Sequence, residues 1–118
     1  MIVGRVTEDR VPTIQLPVAG NEWPAVIDTG FNGDLELPES LRPFLNARFR
    51  SRQPWLLAGG QSIEEDSYSV DFPFEGQTIF AEATFVPGGT ILLGTHFIRR
   101  YRLTIDFVAQ TVLLDRVA

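Results

Sequence analysis

An all-β, barrel-like domain with one or two short helices is predicted by three observations. Short apolar or alternating runs recur at regular spacing along the chain. Turn chemistry parts them, at Ala19-Gly20-Asn21-Glu22, Gly59-Gly60, Glu75-Gly76-Gln77 and Pro87-Gly88-Gly89. Helical patterning is confined to residues 38–42 and 95–101. Many short strands with few helices imply strands closing on themselves around one core. The 118 residues, 44% hydrophobic and 21% charged, are expected to form a single globular domain over 1–118. A chain of that size can build its core without disulfides or a structural metal.

Residues 1–6 and 11–18 read as strands separated by the polar turn Thr7-Glu8-Asp9-Arg10. Pro12 and Pro17 suit strand ends or sheet edges, where no ladder donor is needed. Residues 23–27 form the next strand and 35–37 another. Pro38 fits the first position of a short helix over 38–42, and Pro43 limits its length. Residues 47–58 and 61–74 are the arms of a long hairpin, with Gly59-Gly60 supplying positive φ at its tip. On the return arm Tyr68, Val70, Phe72 and Phe74 share one face; in the strand 78–86, Ile79, Ala81, Ala83 and Phe85 do the same. Residues 90–94 are an apolar strand closed by glycine. Residues 95–101 are the stronger helix candidate, with Thr95 as cap and Phe97, Ile98 and Tyr101 as apolar positions. Leu103, Ile105 and Phe107 alternate on a strand, and 111–117 is the last.

Composition excludes several chemistries. Without cysteine there is no disulfide framework, thiolate nucleophile or Cys-ligated zinc. A single histidine, His96, removes His-rich metal sites and weakens any Ser-His-Asp arrangement, so no metal or cofactor is expected. The net charge is −5 and all ten cations are arginine, which disfavours nucleic acid as a partner. No run is apolar and long enough to span a membrane and the N-terminus lacks a signal-peptide pattern, so no membrane partner and a cytosolic location are expected. Arg48, Arg50 and Arg52 alternate along a strand and are expected on one face. They read as a solvated face kept from edge pairing by charge, in preference to a substrate-binding stripe.

The stretch with most chemical content is residues 25–38, AVIDTGFNGDLELP. Ala25, Val26 and Ile27 deliver Asp28 into a Thr-Gly turn, and Leu35-Glu36-Leu37 follows Gly33. A carboxylate at the tip of a buried strand is costly unless hydrogen bonds or a shared proton compensate it. A lone Asp-Thr-Gly also suits an ordinary turn. Here it is followed, in order, by a glycine hairpin and then by Leu92-Leu93-Gly94.

That pairing of motifs resembles the retropepsin-like aspartic proteases, the single-lobed relatives of pepsin. DTGFNGDLELP with LLGTHFIRRYRLTIDF is similar to their small prokaryotic members, along essentially the whole chain. The resemblance implies an acid-protease barrel in which the Asp28 loop crosses the strand ending at Gly94. A glycine there would permit close backbone approach. It also implies an aspartic endopeptidase acting on peptide or unfolded protein, with Asp28 as acid/base. Thr29 would brace the twin loops and the Gly30 N–H would hold the carboxylate. Ala58, Gly59, Gly60 and Gln61 would form the tip of a mobile flap, and Leu92, Leu93 and Gly94 the structural second motif.

Carboxylate-driven peptide hydrolysis needs two acids, one ionised and one protonated. This chain has one Asp-Thr-Gly; Asp106 precedes Phe-Val and reads as a strand or turn acid. The expected assembly is therefore a homodimer with one Asp28 from each subunit. Three features depart from the retroviral pattern. Phe31 stands where those enzymes place a small residue, Asn32 and Thr95 replace an Asp–Arg interface pair, and the tip lacks a nearby tyrosine, with Tyr68 well down the arm. His96 is expected on the surface of the helix after Gly94. The alternatives are a catalytically weak or inactive dimerisation or peptide-binding module of the same fold, and an unrelated monomeric β-barrel with a fortuitous Asp-Thr-Gly.

Overall fold

The alternation that marks the longer runs as strands also decides which of their faces is buried. A computed structural model describes residues 1–118, the side chain of Trp55 excepted. Its strands are β1 Ile2–Val6, β2 Pro12–Val18, β3 Asn21–Ile27, β4 Leu35–Pro38 and β5 Arg48–Leu56. They continue with β6 Ser62–Phe74, β7 Gln77–Val86, β8 Ile91–Leu93, β9 Tyr101–Asp106 and β10 Thr111–Arg116. All belong to one sheet in the order β5-β6-β7-β4-β8-β3-β2-β1-β10-β9. Most neighbours are antiparallel, and the exceptions are the parallel pairs β3–β8 and β4–β7.

Local chemistry explains the hairpins. Ala19-Gly20 and Glu75-Gly76 all have positive φ, the two-residue turn whose twist matches antiparallel strands. β3 consequently starts at Asn21, two residues before its predicted start. At the tip of the long hairpin only Gly60 has positive φ (83°), not Gly59. Gly60 N–H donates to Leu57 O (3.0 Å) and Leu57 N–H to Gln61 O (2.7 Å), a wider turn closed by one left-handed residue. Asp106 ends β9 by accepting the Val108 and Ala109 N–H groups at its Oδ1, as a turn acid should.

The inward faces agree with the predicted alternation. Val70, Phe72, Ala81, Ala83, Leu35, Leu37, Ile91, Leu93, Val112 and Leu114 are buried in one core. Phe97 fits edge-on between Phe72 and Phe74, with ring centroids 5.6 and 5.0 Å away. Residues Glu39–Phe44 form a 3-10 helix, two residues longer at its end than predicted, with Pro43 inside it. It is anchored by Arg42, paired with Glu39 and lying 4.3 and 4.6 Å from the Tyr68 and Phe85 ring centres.

Two further expectations are corrected. Residues 95–100 form successive turns, not a helix, and Tyr101 opens β9. Ile98 N–H reaches Gly94 O at 3.4 Å, but the Arg99 and Tyr101 N–H groups bond only three residues back. Two early N–H groups of the segment are already spent on the loop after Asp28, and Tyr101 must be extended to enter β9. So short a segment gains too little from helical propagation to resist, although Phe97 and Ile98 are buried as the pattern required. The arginines do not share one face. A bulge between Phe49 and Ser51 shifts the register, so Arg48 pairs with Ser69 while Arg52 pairs with Asp66 on the opposite side. Arg48 bonds Asp71, and Arg52 bonds Glu64 and Asp66.

Among the described residues no helix is long and apolar enough to cross a membrane. Leu93, fully buried on β8, is a stringent test of this packing. Leu93→Ala should cost roughly 2–5 kcal/mol of unfolding free energy in urea denaturation. Phe107→Ala, in the exposed β9–β10 turn, should stay within about 0.5 kcal/mol of the parent.

Candidate active site

β3 and β8 run parallel with Ile27 opposite Leu93, so both strands end at the same edge of the core. Asp28 follows the first and Gly94 the second. Asp28 N–H donates to Leu93 O (3.0 Å), extending the ladder by one bond before the chain turns. Phe31 N–H then donates to Asp28 O (3.2 Å), and Gly30 N–H donates to Asp28 Oδ1 (2.9 Å). The carboxylate is thus fixed by its own turn. Asp28 is partly buried, and Thr29 and Gly30 are exposed.

The following loop is stitched to the second motif by three backbone hydrogen bonds. Gly94, Thr95 and His96 donate their N–H groups to the carbonyls of Asp34 (2.8 Å), Phe31 (2.8 Å) and Gly33 (3.2 Å). The approach is close enough to dictate the residue. A Cβ on Gly94 would lie 2.1 Å from Gly33 O and 2.9 Å from Phe31 Cδ2. A Cβ on Gly33 would lie 2.7 Å from Phe31 Cε1. The close approach expected at Gly94 is present, and the Phe31 ring occupies the space left by both glycines.

Asp34 was not singled out from the sequence, yet it carries the side-chain clamp of this crossing. Its side chain is 13% exposed. Oδ1 lies 2.5 Å from His96 Nδ1, and Oδ2 accepts the Glu82 N–H at 2.9 Å. His96 is on the surface as expected, but in a turn and bound to Asp34. An acid–base pair thus joins loop and second motif although Asn32 and Thr95 cannot supply one. The available signal was an acid immediately before β4 and the sole histidine directly after Gly94-Thr95. Glu82 continues the network, accepting from the buried Ser67 hydroxyl (2.6 Å) and lying 3.8 Å from Arg50 Nη1.

Glu36, seen in the sequence only as part of an alternating strand, also lies near the site. Burial first, then the neighbouring Glu65 and Asp28 carboxylates, push its carboxyl above the usual carboxylate range. A cavity of about 750 Å³ opens beside the crossing, lined in part by Phe31, Asp34, Arg50, Glu82 and His96. Asp28 is not part of its wall. Of the residues expected at the site, Asp28, Thr29 and Gly30 stand beside Leu92, Leu93 and Gly94. Ala58, Gly59, Gly60 and Gln61 lie apart from them, exposed at the tip of the β5–β6 hairpin. Leu56, Leu57 and Ile63 give that tip an apolar surface.

No family model matches this sequence and no curated protein does. Solved structures do. A retropepsin-like aspartic protease from Rickettsia conorii superposes with a TM-score of 0.68, over 98% of this chain and 89% of that one, at 18% identity. This chain has the retropepsin-like fold. The simian foamy virus protease matches with a TM-score of 0.56 over 74% of this chain and 91% of its own, at 21% identity. A foamy viral protease-reverse transcriptase, solved with an RNA/DNA hybrid, matches with a TM-score of 0.61 over 85% of this chain but 14% of its own, at 19% identity. The parallel β3–β8 pair and the crossing at Gly94 are therefore features of a retropepsin-like barrel.

The two glycine environments give a paired test. Gly94→Ala must displace backbone and should lose roughly 2 kcal/mol or more. Gly59→Ala meets nothing within 4 Å and should stay within about 0.5 kcal/mol of the parent in the same denaturation series.

Proposed function

We propose that this chain is an aspartic endopeptidase, one domain over 1–118, that acts as a homodimer. The observation that carries this reading is the Asp28 carboxylate itself. It is held by the Gly30 N–H on a turn tied to the end of β8, and no cation among the described residues pairs with it. One such group is half of what the chemistry needs. The retropepsin-like fold supports a twin Asp28 from a second copy as the other half.

In this reading the two Asp28 carboxyls share one proton, because like charges a few ångströms apart resist joint ionisation. The ionised carboxylate takes a proton from water as the water oxygen bonds the scissile carbonyl carbon. The protonated carboxyl donates its proton to the carbonyl oxygen, giving a neutral tetrahedral diol. Collapse returns one hydroxyl proton to a carboxylate, transfers a proton to the amide nitrogen and breaks the C–N bond. One carboxyl is left protonated and the cycle closes.

Thr29, exposed beside Asp28, would brace the partner turn. The hairpin tip at Ala58, Gly59, Gly60 and Gln61, with its apolar Leu56 and Leu57, would close over an extended peptide and exclude water. The substrate class is flexible or unfolded polypeptide.

Asp28→Asn should reduce cleavage of an unstructured peptide by roughly 10³-fold while leaving the melting temperature close to the parent. Equal cleavage by both proteins would refute the reading. The rate should also follow a bell in pH, since both the doubly protonated and the doubly ionised pair are inactive.

A further inference from the structure

We propose that Glu36 is a specificity-determining residue, giving the substrate cleft a preference for an arginine or lysine side chain close to the scissile bond. This rests on the aspartic-endopeptidase reading and deepens it. The first support is register. On β4, Leu35 and Leu37 are buried in the core and Glu36 faces the other way. Glu36 pairs with Leu92 of β8, and Leu92 pairs with Val26 of β3. Residues directly opposite one another share a face, so Val26, Leu92 and Glu36 form one row across the sheet. Asp28 lies two residues beyond Val26 and is electrostatically coupled to Glu36. Strand spacings of about 4.8 Å and a two-residue repeat of about 6.6 Å put Glu36 roughly 12 Å from Asp28, backbone to backbone. The two side chains can therefore serve one bound peptide, with Glu36 meeting a residue within about three positions of the cut.

The second support is an unmet electrostatic need. Among the described residues no hydrogen bond or ion pair reaches the Glu36 carboxyl. Arg42 is engaged by Glu39, and Arg52 by Glu64 and Asp66. The charged groups acting on Glu36 are Glu65 on the β6 arm and Asp28, both of its own sign. These acids are not arranged to hold a metal ion. A partly buried carboxylate facing two others gains most from a cation brought from outside. A guanidinium or ammonium on an extended peptide supplies charge and hydrogen bonds together.

The pH dependence has a definite sign. With its carboxyl held above the usual range, Glu36 stays neutral at acidic pH and discriminates weakly there. The preference grows as pH rises through its titration. Because the folded chain disfavours the ionised form, Glu36 contributes less to stability as pH rises. Glu36→Gln should therefore melt no lower than the parent at neutral pH, so its effect on substrate choice can be read in a folded protein.

The test uses one peptide library, cut after glutamate so that lysines and arginines remain internal. Cleavage by the parent is mapped by mass spectrometry at neutral and acidic pH, and peptides retained by Asp28→Asn are identified from the same pool. The expected result is roughly tenfold enrichment of Arg and Lys at one position within three residues of the cut, at neutral pH. Glu36→Gln should flatten it and Glu36→Lys should turn it towards acidic side chains. Cuts made without cationic preference overturn the inference and leave the protease reading standing. Basic peptides retained but never cut support the Glu36 inference and overturn catalysis. Retention of neither class overturns the inference.

Discussion

Two stretches of backbone cross at Gly94, and the rest of the molecule is arranged to let them. The carbonyls of Phe31, Gly33 and Asp34 accept the N–H groups of Thr95, His96 and Gly94 at 2.8–3.2 Å. No side chain is tolerated at Gly94, since a Cβ there would lie 2.1 Å from a carbonyl oxygen. The parallel pairing of β3 and β8 brings the two ends together, and β4 leaves the crossing to pair with β8 on its other side. Asp28 takes its position from this arrangement. Its turn is held by the Asp28 N–H bond to Leu93 O, the Phe31 N–H bond to Asp28 O and the Gly30 N–H bond to Asp28 Oδ1. The Asp34–His96 contact and the Asp34 bond to Glu82 N–H add a side-chain clamp, joining the crossing to β7 and through Glu82 to Ser67 on the hairpin arm.

The crossing was legible in the sequence because it needs residues that cannot be disguised: an acid in a glycine turn, and a glycine closing an apolar strand. The fold followed from them and from the period-two alternation of β6 and β7. The features that escaped prediction depend on partners distant in the chain. The 95–101 segment has helical periodicity, but its opening N–H groups bond residues of the 31–34 loop, and a strand claims its last residue. The arginine stripe was broken by a one-residue bulge, which leaves no signature in alternation because it changes register and not composition. Asp34 and His96 are 62 positions apart, and neither identifies the other without the crossing that joins them.

Phe31 shows how a departure from the retroviral pattern can be absorbed. A ring directly after Asp-Thr-Gly needs room, and this chain provides it with hydrogen in place of a side chain at both Gly33 and Gly94. The ring and the glycines are therefore one packing unit, and a small residue at 31 would leave a void over the crossing. The electrostatics have a similar logic. Glu36 lies near the Glu65 and Asp28 carboxylates, and Arg42 and Arg52 are occupied by other acids.

The central claim is that each catalytic site is shared between two copies of the chain. It is tested most directly by mixing parent protein with increasing amounts of Asp28→Asn at constant total concentration, allowing subunits to exchange, and measuring peptide cleavage. If both carboxylates of a pair are required, activity falls with the square of the parental fraction, because every mixed dimer is silent. A fall in simple proportion to the parental fraction would mean that each chain works alone, and would contradict the account.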